Sequence, residues 1–174
     1  LLLALLSACG SAVTTPIPTG SAPELSPDAA SFIVDTDMSL DDWIAILYLL
    51  QRPDIDIKAI TVSGTGVAHC EPGARNAQNL ASLAGRLEIP VACGRDTPLA
   101  GSRTFPEAWR SPIDELYGVS LPENPNPPSD QPAVGLLSAV LQNSIEPVSI
   151  LALGPLTNLA EMLQADPTLP AQIS

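Results

Sequence analysis

The stretch SFIVDTDMSLDDWIAIL, residues 31–47, joins a short apolar run to a longer one through four aspartates. The first run is short and rich in β-branched residues, which predicts a buried strand. The apolar side chains of the second run recur at helical spacing, and they are Trp43, Ile44, Leu47 and Leu50. A strand that passes directly into a helix is the first half of a βαβ unit, so the stretch predicts an α/β fold.

The remainder of the chain repeats this alternation. Further strands are predicted at residues 56–64, 89–93 and 148–153, and further helices at residues 72–85, 132–144 and 155–165. We therefore predict a mostly parallel sheet with helices on both faces. Residues 97–131 are different, because they hold many prolines and show no period. We expect an irregular excursion there, either a functional lid or a surface insertion.

The composition limits the number of domains and the class of partner. The chain has 174 residues, of which 45% are hydrophobic, and this is enough for one domain with one core. Its 19 acidic and 7 basic residues give a net charge of -12. Such a charge repels phosphate backbones and anionic lipid surfaces, so we expect no nucleic-acid partner.

The first residues, LLLALLSACG, predict an export signal. Residues 1–9 are apolar, too short to span a bilayer, and end in a tetrad that resembles the bacterial lipobox, in which Cys9 is lipidated. A buried amphipathic helix is the alternative interpretation. Residues 10–30 have the composition of a disordered tether, and residues 31–174 form the folded part. We expect an extracytoplasmic lipoprotein of the bacterial cell envelope, bound to the membrane through its lipid anchor only.

Two further cysteines, Cys70 and Cys93, leave two interpretations open. They could pair in an oxidising compartment, or they could be two separate buried thiols that pack as small hydrophobes.

The four aspartates have a structural interpretation that covers only some of them. Asp35 and Asp37 would point to the same face of an extended strand. Asp41 and Asp42 fall in the first turn of the following helix, where the helix dipole favours negative charge, and Ser39 with Asp42 has the spacing of a capping box. Helix capping explains one or two acidic residues at this position, but it does not explain four.

Carboxylates crowded into a partly dry crevice raise one another's pKa unless a cation neutralises them. Hard oxygen ligands select a hard cation, and Ca²⁺ accepts more protein oxygens than Mg²⁺ does. Ligands of α/β proteins bind at the carboxyl ends of the strands, which is where this cluster falls. The sequence therefore predicts a metal site for a hard cation, and at this point both Ca²⁺ and Mg²⁺ remain open.

Five separated segments together resemble the nucleoside hydrolase family of the inosine-uridine preferring type. They are IVDTDMSLDDWIAIL, IKAITVSGTG, RNAQNL, IPVACGRDTPLAG and LALGPLTNLAEML, in that order, and the resemblance runs from Phe32 to the last residue. It implies a Rossmann-like core and a calcium-dependent enzyme of purine or pyrimidine salvage. Such an enzyme hydrolyses the N-glycosidic bond of ribonucleosides to free base and ribose.

The resemblance also implies roles for individual residues. Asp37 and Asp42 match metal-binding aspartates, and Thr157 matches a threonine whose backbone carbonyl binds Ca²⁺. Asp37 also matches the general base that deprotonates a calcium-positioned water. Asp41 matches the carboxylate that holds a ribose hydroxyl, and Asp35 matches a supporting aspartate.

The chain departs from the family pattern at several places. Met38 and Ser39 replace a Pro-Gly pair, and Thr65 stands where many members have a ribose-binding Asn, so we assign Thr65 to the substrate. The family's His-Gly element is not recognisable in the excursion. The later part of the family, with a further metal aspartate and residues that face the base, has no counterpart. We therefore expect an N-terminal portion, with the C-terminal part missing, that is inactive by itself.

Two other functions remain open from the residues alone. FIVDTDMS also resembles the nucleophile motif of haloacid-dehalogenase-like phosphatases, in which Asp35 would attack, Asp37 would be the acid and Mg²⁺ the cofactor. A non-catalytic lipoprotein that binds calcium or another ligand is the third candidate. His69, the only histidine, has little weight as the acid that protonates a leaving base. A homo-oligomer is an open expectation.

Overall fold

The computed structural model describes residues 20–174, which form a four-stranded sheet with helices on both faces. The strands are β1 (Ala30–Thr36), β2 (Ile55–Val62), β3 (Val91–Cys93) and β4 (Ser149–Ala152). Their order across the sheet is β3-β2-β1-β4, and every pair is parallel. The predicted α/β class and parallel sheet are confirmed.

Five α-helices connect or flank these strands. They are α1 (Leu40–Leu50), α2 (Cys70–Leu83), α3 (Glu107–Asp114), α4 (Ala133–Asn143) and α5 (Thr157–Ala165). Short 3₁₀ turns follow at Leu116–Gly118 and Leu169–Gln172. Among these residues, no helix has both the length and the apolar composition needed to cross a bilayer.

The sheet separates two apolar cores. Val34 of β1 packs into the core under α1 and α2, together with Ile46 and Leu80. Ile33, the neighbouring residue, points to the opposite core, which contains Leu137 of α4 and other side chains. Successive strand residues alternate between faces, so a central strand that is covered by helices must be apolar on both. This explains the continuous apolar run at the start of β1.

The carboxyl ends of β1, β2 and β4 meet at one edge of the sheet. Asp35 lies opposite Thr61 of β2 on one side and Ala152 of β4 on the other. Beyond the ladder, the N–H of Ser63 donates to the carbonyl of Thr36 at 2.8 Å. Residues that follow these three strands are therefore brought close together, although they are far apart in sequence.

The expectation of an irregular excursion at residues 97–131 is wrong in part, because α3 lies within it. Pro106 directly precedes this helix with a φ of -59°, which suits a helix start. The buried residues of α3 are Arg110 and Ile113, so its inner face carries one charged and one apolar side chain. The helix has only eight residues and contains Pro112, and a short proline-containing segment is typical of irregular structure, so the pattern did not predict the helix.

A disordered tether was expected over residues 10–30, but the structure shows that the last part of this segment is ordered. The N–H of Gly20 donates to the carbonyl of Leu83 at 2.9 Å, and the N–H of Ser26 donates to that of Pro53 at 2.7 Å. Residues 20–29 therefore lie along the domain, and β1 begins at Ala30. Cys9 and the rest of residues 1–19 lie outside the described residues.

Cys70 and Cys93 form a disulfide bond, which resolves the two interpretations that the sequence left open. Cys70 is the first residue of α2, and Cys93 is the last residue of β3. The bond therefore joins two elements at the same edge of the sheet as the aspartates.

Candidate active site at the carboxyl edge of the sheet

Asp37 follows the last residue of β1 and is held by the loop between β2 and α2. Its Oδ2 accepts a hydrogen bond from the N–H of Val67 at 3.1 Å, and its carbonyl accepts one from the N–H of Ala68 at 3.0 Å. Only 6% of the residue is exposed. The carboxylate therefore lies at the carboxyl edge of the sheet with one oxygen fixed by the backbone.

Two glycines make room for Asp37. A Cβ added to Gly66 would lie 2.1 Å from the Cβ of Asp37, and one added to Gly154 would lie 2.8 Å from it. Neither position could carry a side chain without displacing the aspartate. Sequence reasoning did not identify these two residues, although both fall within the segments VSGTG and LALGPLTN that resemble the family.

The turn after Asp37 is held without the family's Pro-Gly pair. Met38 has a φ of +57°, an uncommon value for a residue with a side chain. Its N–H donates to Oγ1 of Thr36 at 2.8 Å, and its carbonyl accepts a hydrogen bond from Nε1 of Trp43 at 2.8 Å. These contacts stabilise the left-handed turn that carries the chain from β1 into α1.

Asp42 is the third residue of α1, and its carboxylate is buried. Its Oδ2 accepts hydrogen bonds from Oγ1 of Thr36 at 2.6 Å and from the N–H of Ser39 at 3.3 Å. The second contact is the predicted capping-box contact from the helix to its N-cap. Burial raises the pKa of Asp42 to about 6, and the negative charge of Asp37 adds to the increase, against the hydrogen bonds from Thr36 and Ser39.

Asp37 and Asp42 therefore form the carboxylate pair of this site. The sequence suggested instead that Asp35 and Asp37 would converge on one face of the strand. The strand alternation ends at Thr36, because Met38 adopts a left-handed conformation and redirects the chain. Asp37 consequently interacts with Asp42, whereas the described hydrogen bonds of Asp35 go elsewhere.

Asp35 is fully buried and joins three elements of the fold. Its Oδ1 accepts hydrogen bonds from Oγ1 of Thr61 at 2.6 Å and from Nδ2 of Asn158 at 2.8 Å. Its Oδ2 has no hydrogen-bond partner among the described residues. Burial raises the pKa of Asp35 to about 6, although both hydrogen bonds favour the charged form. Asp35 thus supports the site from the interior of the fold. Asn158, which sequence reasoning did not identify, holds Asp35 in place through this hydrogen bond.

Asp41 is exposed beside this buried pair. The hydroxyl of Ser39 donates to its Oδ1. This hydrogen bond is the main cause that lowers the pKa of Asp41 below its usual range. Asp41 therefore presents a charged carboxylate to solvent, as a residue that binds a ligand hydroxyl would need to do.

Thr65 and Thr157 come together across 92 positions of sequence. Their Oγ1 atoms lie 2.8 Å apart, and the hydroxyl of Ser63 lies 2.9 Å from that of Thr65. Thr157 is the first residue of α5, so this contact joins the loop after β2 to the helix after β4. Thr65 also lines a cavity of about 290 Å³, whose other lining residues are Arg103, Thr104, Phe105 and Pro106.

His69 contacts residues of α3 rather than Asp37 or Asp42. Its Nδ1 lies 2.6 Å from Oδ2 of Asp114, and its backbone N–H donates to Oδ1 of Asp114 at 2.9 Å. Its Nε2 lies 3.5 Å from Glu107. These contacts attach the start of α2 to α3.

The residues present fit part of a hard-cation site. No lysine or arginine among the described residues forms a salt bridge with Asp37 or Asp42, so none of these residues neutralises the charge of the pair. Within residues 20–174, no three His, Cys, Asp or Glu side chains are grouped closely enough to hold a metal ion. The pair therefore offers two hard oxygen ligands, which is an incomplete set for Ca²⁺.

The fold and the site together define a class of protein. This is a parallel α/β domain with a carboxylate pair at the carboxyl ends of its strands, where such domains bind small ligands. A family model described as inosine-uridine preferring nucleoside hydrolase matches residues 32–174. The chain belongs to this family, and the resemblance inferred from its segments is confirmed.

The names of proteins similar to this chain refer to different nucleoside substrates. The chain is 36% identical over 146 residues to the pyrimidine-specific ribonucleoside hydrolase RihA of Escherichia coli O7:K1, covering 84% of this chain and 46% of the relative. The structure of the plant nucleoside hydrolase PpNRh1 matches with a TM-score of 0.71 and 32% identity, over 83% of this chain and 45% of that one. The purine-preferring ribonucleoside hydrolase from Gardnerella vaginalis matches with a TM-score of 0.67 and 25% identity, over 82% and 46% of the two chains. The chain spans about half the length of the relatives it matches.

Proposed function

We propose that the complete protein containing this chain hydrolyses the N-glycosidic bond of ribonucleosides to free base and ribose. The observation that carries the proposal is the buried pair of Asp37 and Asp42 at the carboxyl edge of the sheet, in a chain of this family. The names of similar proteins include both pyrimidine-specific and purine-preferring enzymes, so the proposal extends to ribonucleosides as a class.

The reaction needs a base for the attacking water and anchored sugar hydroxyls. Cleavage passes through an oxocarbenium-like state, in which the bond to the leaving base is largely broken. In the proposed mechanism, Asp37 accepts the proton of the water that adds to the anomeric carbon. Asp41, exposed and charged, accepts a hydrogen bond from a ribose hydroxyl, and Thr65 offers a second polar contact. The electron pair of the broken bond leaves with the nucleobase, which then takes up a proton.

We propose Ca²⁺ as the cofactor, held by Asp37, Asp42 and the backbone carbonyl of Thr157. When bound, such an ion lowers the pKa of a water molecule and orients it. The absence of a basic partner for the pair among the described residues supports this proposal. Burial is the main cause of the raised pKa of Asp42, and a divalent cation would offset both that cost and the smaller repulsion from Asp37.

The phosphatase alternative is disfavoured by the surroundings of Asp35. A carboxylate that attacks phosphorus must reach the substrate, but Asp35 is fully buried and its Oδ1 is occupied by Thr61 and Asn158. The non-catalytic alternative is disfavoured by the family, because the matching family model is described as a nucleoside hydrolase.

Product analysis tests the proposal against both alternatives. The complete protein is incubated with inosine or uridine and, separately, with a phosphorylated substrate, in the presence of calcium. Release of ribose and free base supports the proposal. Release of phosphate alone favours the phosphatase, and no product from either substrate favours a binding protein.

We further propose that the protein is an extracytoplasmic lipoprotein of the bacterial envelope, anchored through Cys9. The disulfide between Cys70 and Cys93 supports an oxidising compartment, since such bonds are rare in the cytosol. When it is expressed in a bacterium with its full signal sequence, the protein should fractionate with membranes, and Cys9→Ala should release it. Equal release of both forms would contradict the anchor. Assembly into a homo-oligomer stays a prediction.

A further inference from the structure

A short loop encloses Asp37, and a single arginine spans it. Loop 64–68 lies between β2 and α2, and it contains the glycine that packs on Asp37 and the two N–H groups that bind it. Nη2 of Arg110 donates to the carbonyl of Gly64 at 2.8 Å and to the carbonyl of Ala68 at 2.9 Å. One nitrogen of α3 therefore holds both ends of the loop.

The surroundings of Arg110 show that burying its guanidinium costs solvation free energy, which the two carbonyls offset in part. The residue is only 6% exposed, and its Nε has no hydrogen-bond partner among the described residues. Its nearest described carboxylate is Asp96, with the two charged atoms 3.9 Å apart. A guanidinium that is buried with one distant counter-charge loses solvation, and the two backbone carbonyls offset part of that loss.

Loop 64–68 needs such a support, because Gly64 and Gly66 make it expensive to order. Glycine loses more conformational freedom on folding than any other residue. Both glycines are nonetheless required, since a Cβ at Gly64 would lie 2.7 Å from the Cβ of Cys70 and one at Gly66 would lie 2.1 Å from the Cβ of Asp37. The backbone of the loop must therefore be fixed from outside, and Arg110 provides the fixed points.

We infer that Arg110 is a positioning residue for Asp37. Its guanidinium fixes the two ends of loop 64–68, and the loop in turn fixes the Val67 N–H that binds the carboxylate. The catalytic consequence rests on the proposed function, whereas the structural part does not. A displaced general base can lower the rate by up to about 100-fold without changing how the substrate binds elsewhere.

The test measures amide hydrogen exchange in the complete protein and in Arg110→Met, which keeps the apolar stem and removes both hydrogen bonds. We expect exchange at Val67 and Ala68 to become at least about tenfold faster, while the amide of Ile46 in α1 keeps its rate. Arg75→Met is the matched control, because Arg75 is an exposed arginine on α2 and its loss changes the net charge equally. It should change neither set of amides.

Arg110→Gln provides a second variant if the methionine variant does not fold, because its amide is too short to reach both carbonyls. Unchanged exchange at Val67 and Ala68 would overturn the inference, as would an equal increase at Ile46, which indicates global destabilisation.

Nucleoside hydrolysis is the second readout, and we expect kcat to fall about 10- to 100-fold with a much smaller change in KM. A wild-type kcat in a variant with a loosened loop would refute the catalytic part. If the unmodified protein releases no ribose, the proposed function fails, and the exchange result still decides the role of Arg110 in the loop.

Discussion

Asp35→Asn should stabilise the metal-free protein at neutral pH, although it removes a residue that supports the site. The native carboxyl is fully buried, and burial raises its pKa from 3.8 to about 6. A shift of this size corresponds to about 3 kcal/mol between the two protonation states, at about 1.36 kcal/mol for each pKa unit. The asparagine carries no charge, so it avoids this cost. Its carbonyl oxygen can still accept the hydrogen bonds from Thr61 and Asn158.

The sign of the pH dependence follows from the direction of the shift. The pKa of Asp35 is higher in the folded protein than in the unfolded chain, so the folded state binds the proton more tightly between about pH 4 and pH 6. The free energy of unfolding contributed by this group is therefore greatest at low pH and is lost as the pH rises through that window. The advantage of Asp35→Asn over the wild type should grow by about 2 kcal/mol between about pH 4.5 and pH 7.5.

Denaturant unfolding in the presence of a chelator measures this difference, with tryptophan fluorescence as the probe. Comparison with the wild type removes the contribution of Asp42, whose pKa is also raised, because both proteins contain it. Asp54→Asn is the control, since Asp54 is an exposed carboxylate that pairs with Arg52 at 2.5 Å. A difference between Asp35→Asn and the wild type that is the same at both pH values would show that the pKa of Asp35 is not raised in the folded protein.

Three further predictions concern the metal, the glycine contact and the disulfide. Calcium at about 100 times its dissociation constant should stabilise the complete protein by ~2.7 kcal/mol, and Asp42→Asn should largely remove that response; coincident melting curves with calcium and with chelator would contradict the metal site. Gly66→Ala should abolish the stabilisation by calcium. Gly101→Ala is the control, because a Cβ at Gly101 meets no atom within 4 Å; since Gly101 has a φ of +74°, this variant should lose about 1–2 kcal/mol of stability but should still be stabilised by calcium. Reduction of the bond between Cys70 and Cys93, which are 23 positions apart, should cost about 3 kcal/mol in unfolding measurements, and an unchanged melting temperature under reducing conditions would show that the bond contributes nothing.

The strands and most helices could be predicted because their apolar residues recur at a fixed period. The helix α1 was predicted from its apolar residues, and Trp43 and Leu50 of the predicted set are buried. The prediction was wrong for Ile44, which is 69% exposed, while Ile46 is buried instead. The helix α3 was not predicted in this way, because it has only eight residues and contains Pro112, and because Arg110 takes one of its two buried positions. A charged residue at such a position depends on backbone carbonyls from another part of the chain, and a local pattern carries no information about them.

The candidate site was predictable in its residue types but not in its pairing. The aspartates could be assigned to the end of β1 from the sequence, but the partner of Asp37 depends on the left-handed turn at Met38. The hydrogen bond from Asn158 to Asp35 joins residues 123 positions apart, so only the parallel sheet brings them together. Contacts of this kind follow from the tertiary fold and have no local signal.

In the proposed mechanism, Asp37 serves as the general base of a ribonucleoside hydrolase. The most direct measurement is ribose release from inosine and uridine by the complete protein and by Asp37→Asn, in saturating calcium, with Asp54→Asn as an exposed control. We expect ribose release by the wild type and by the control, and a loss of about 10²–10⁴-fold or more in Asp37→Asn. Ribose release by Asp37→Asn at the wild-type rate would show that Asp37 is not the general base.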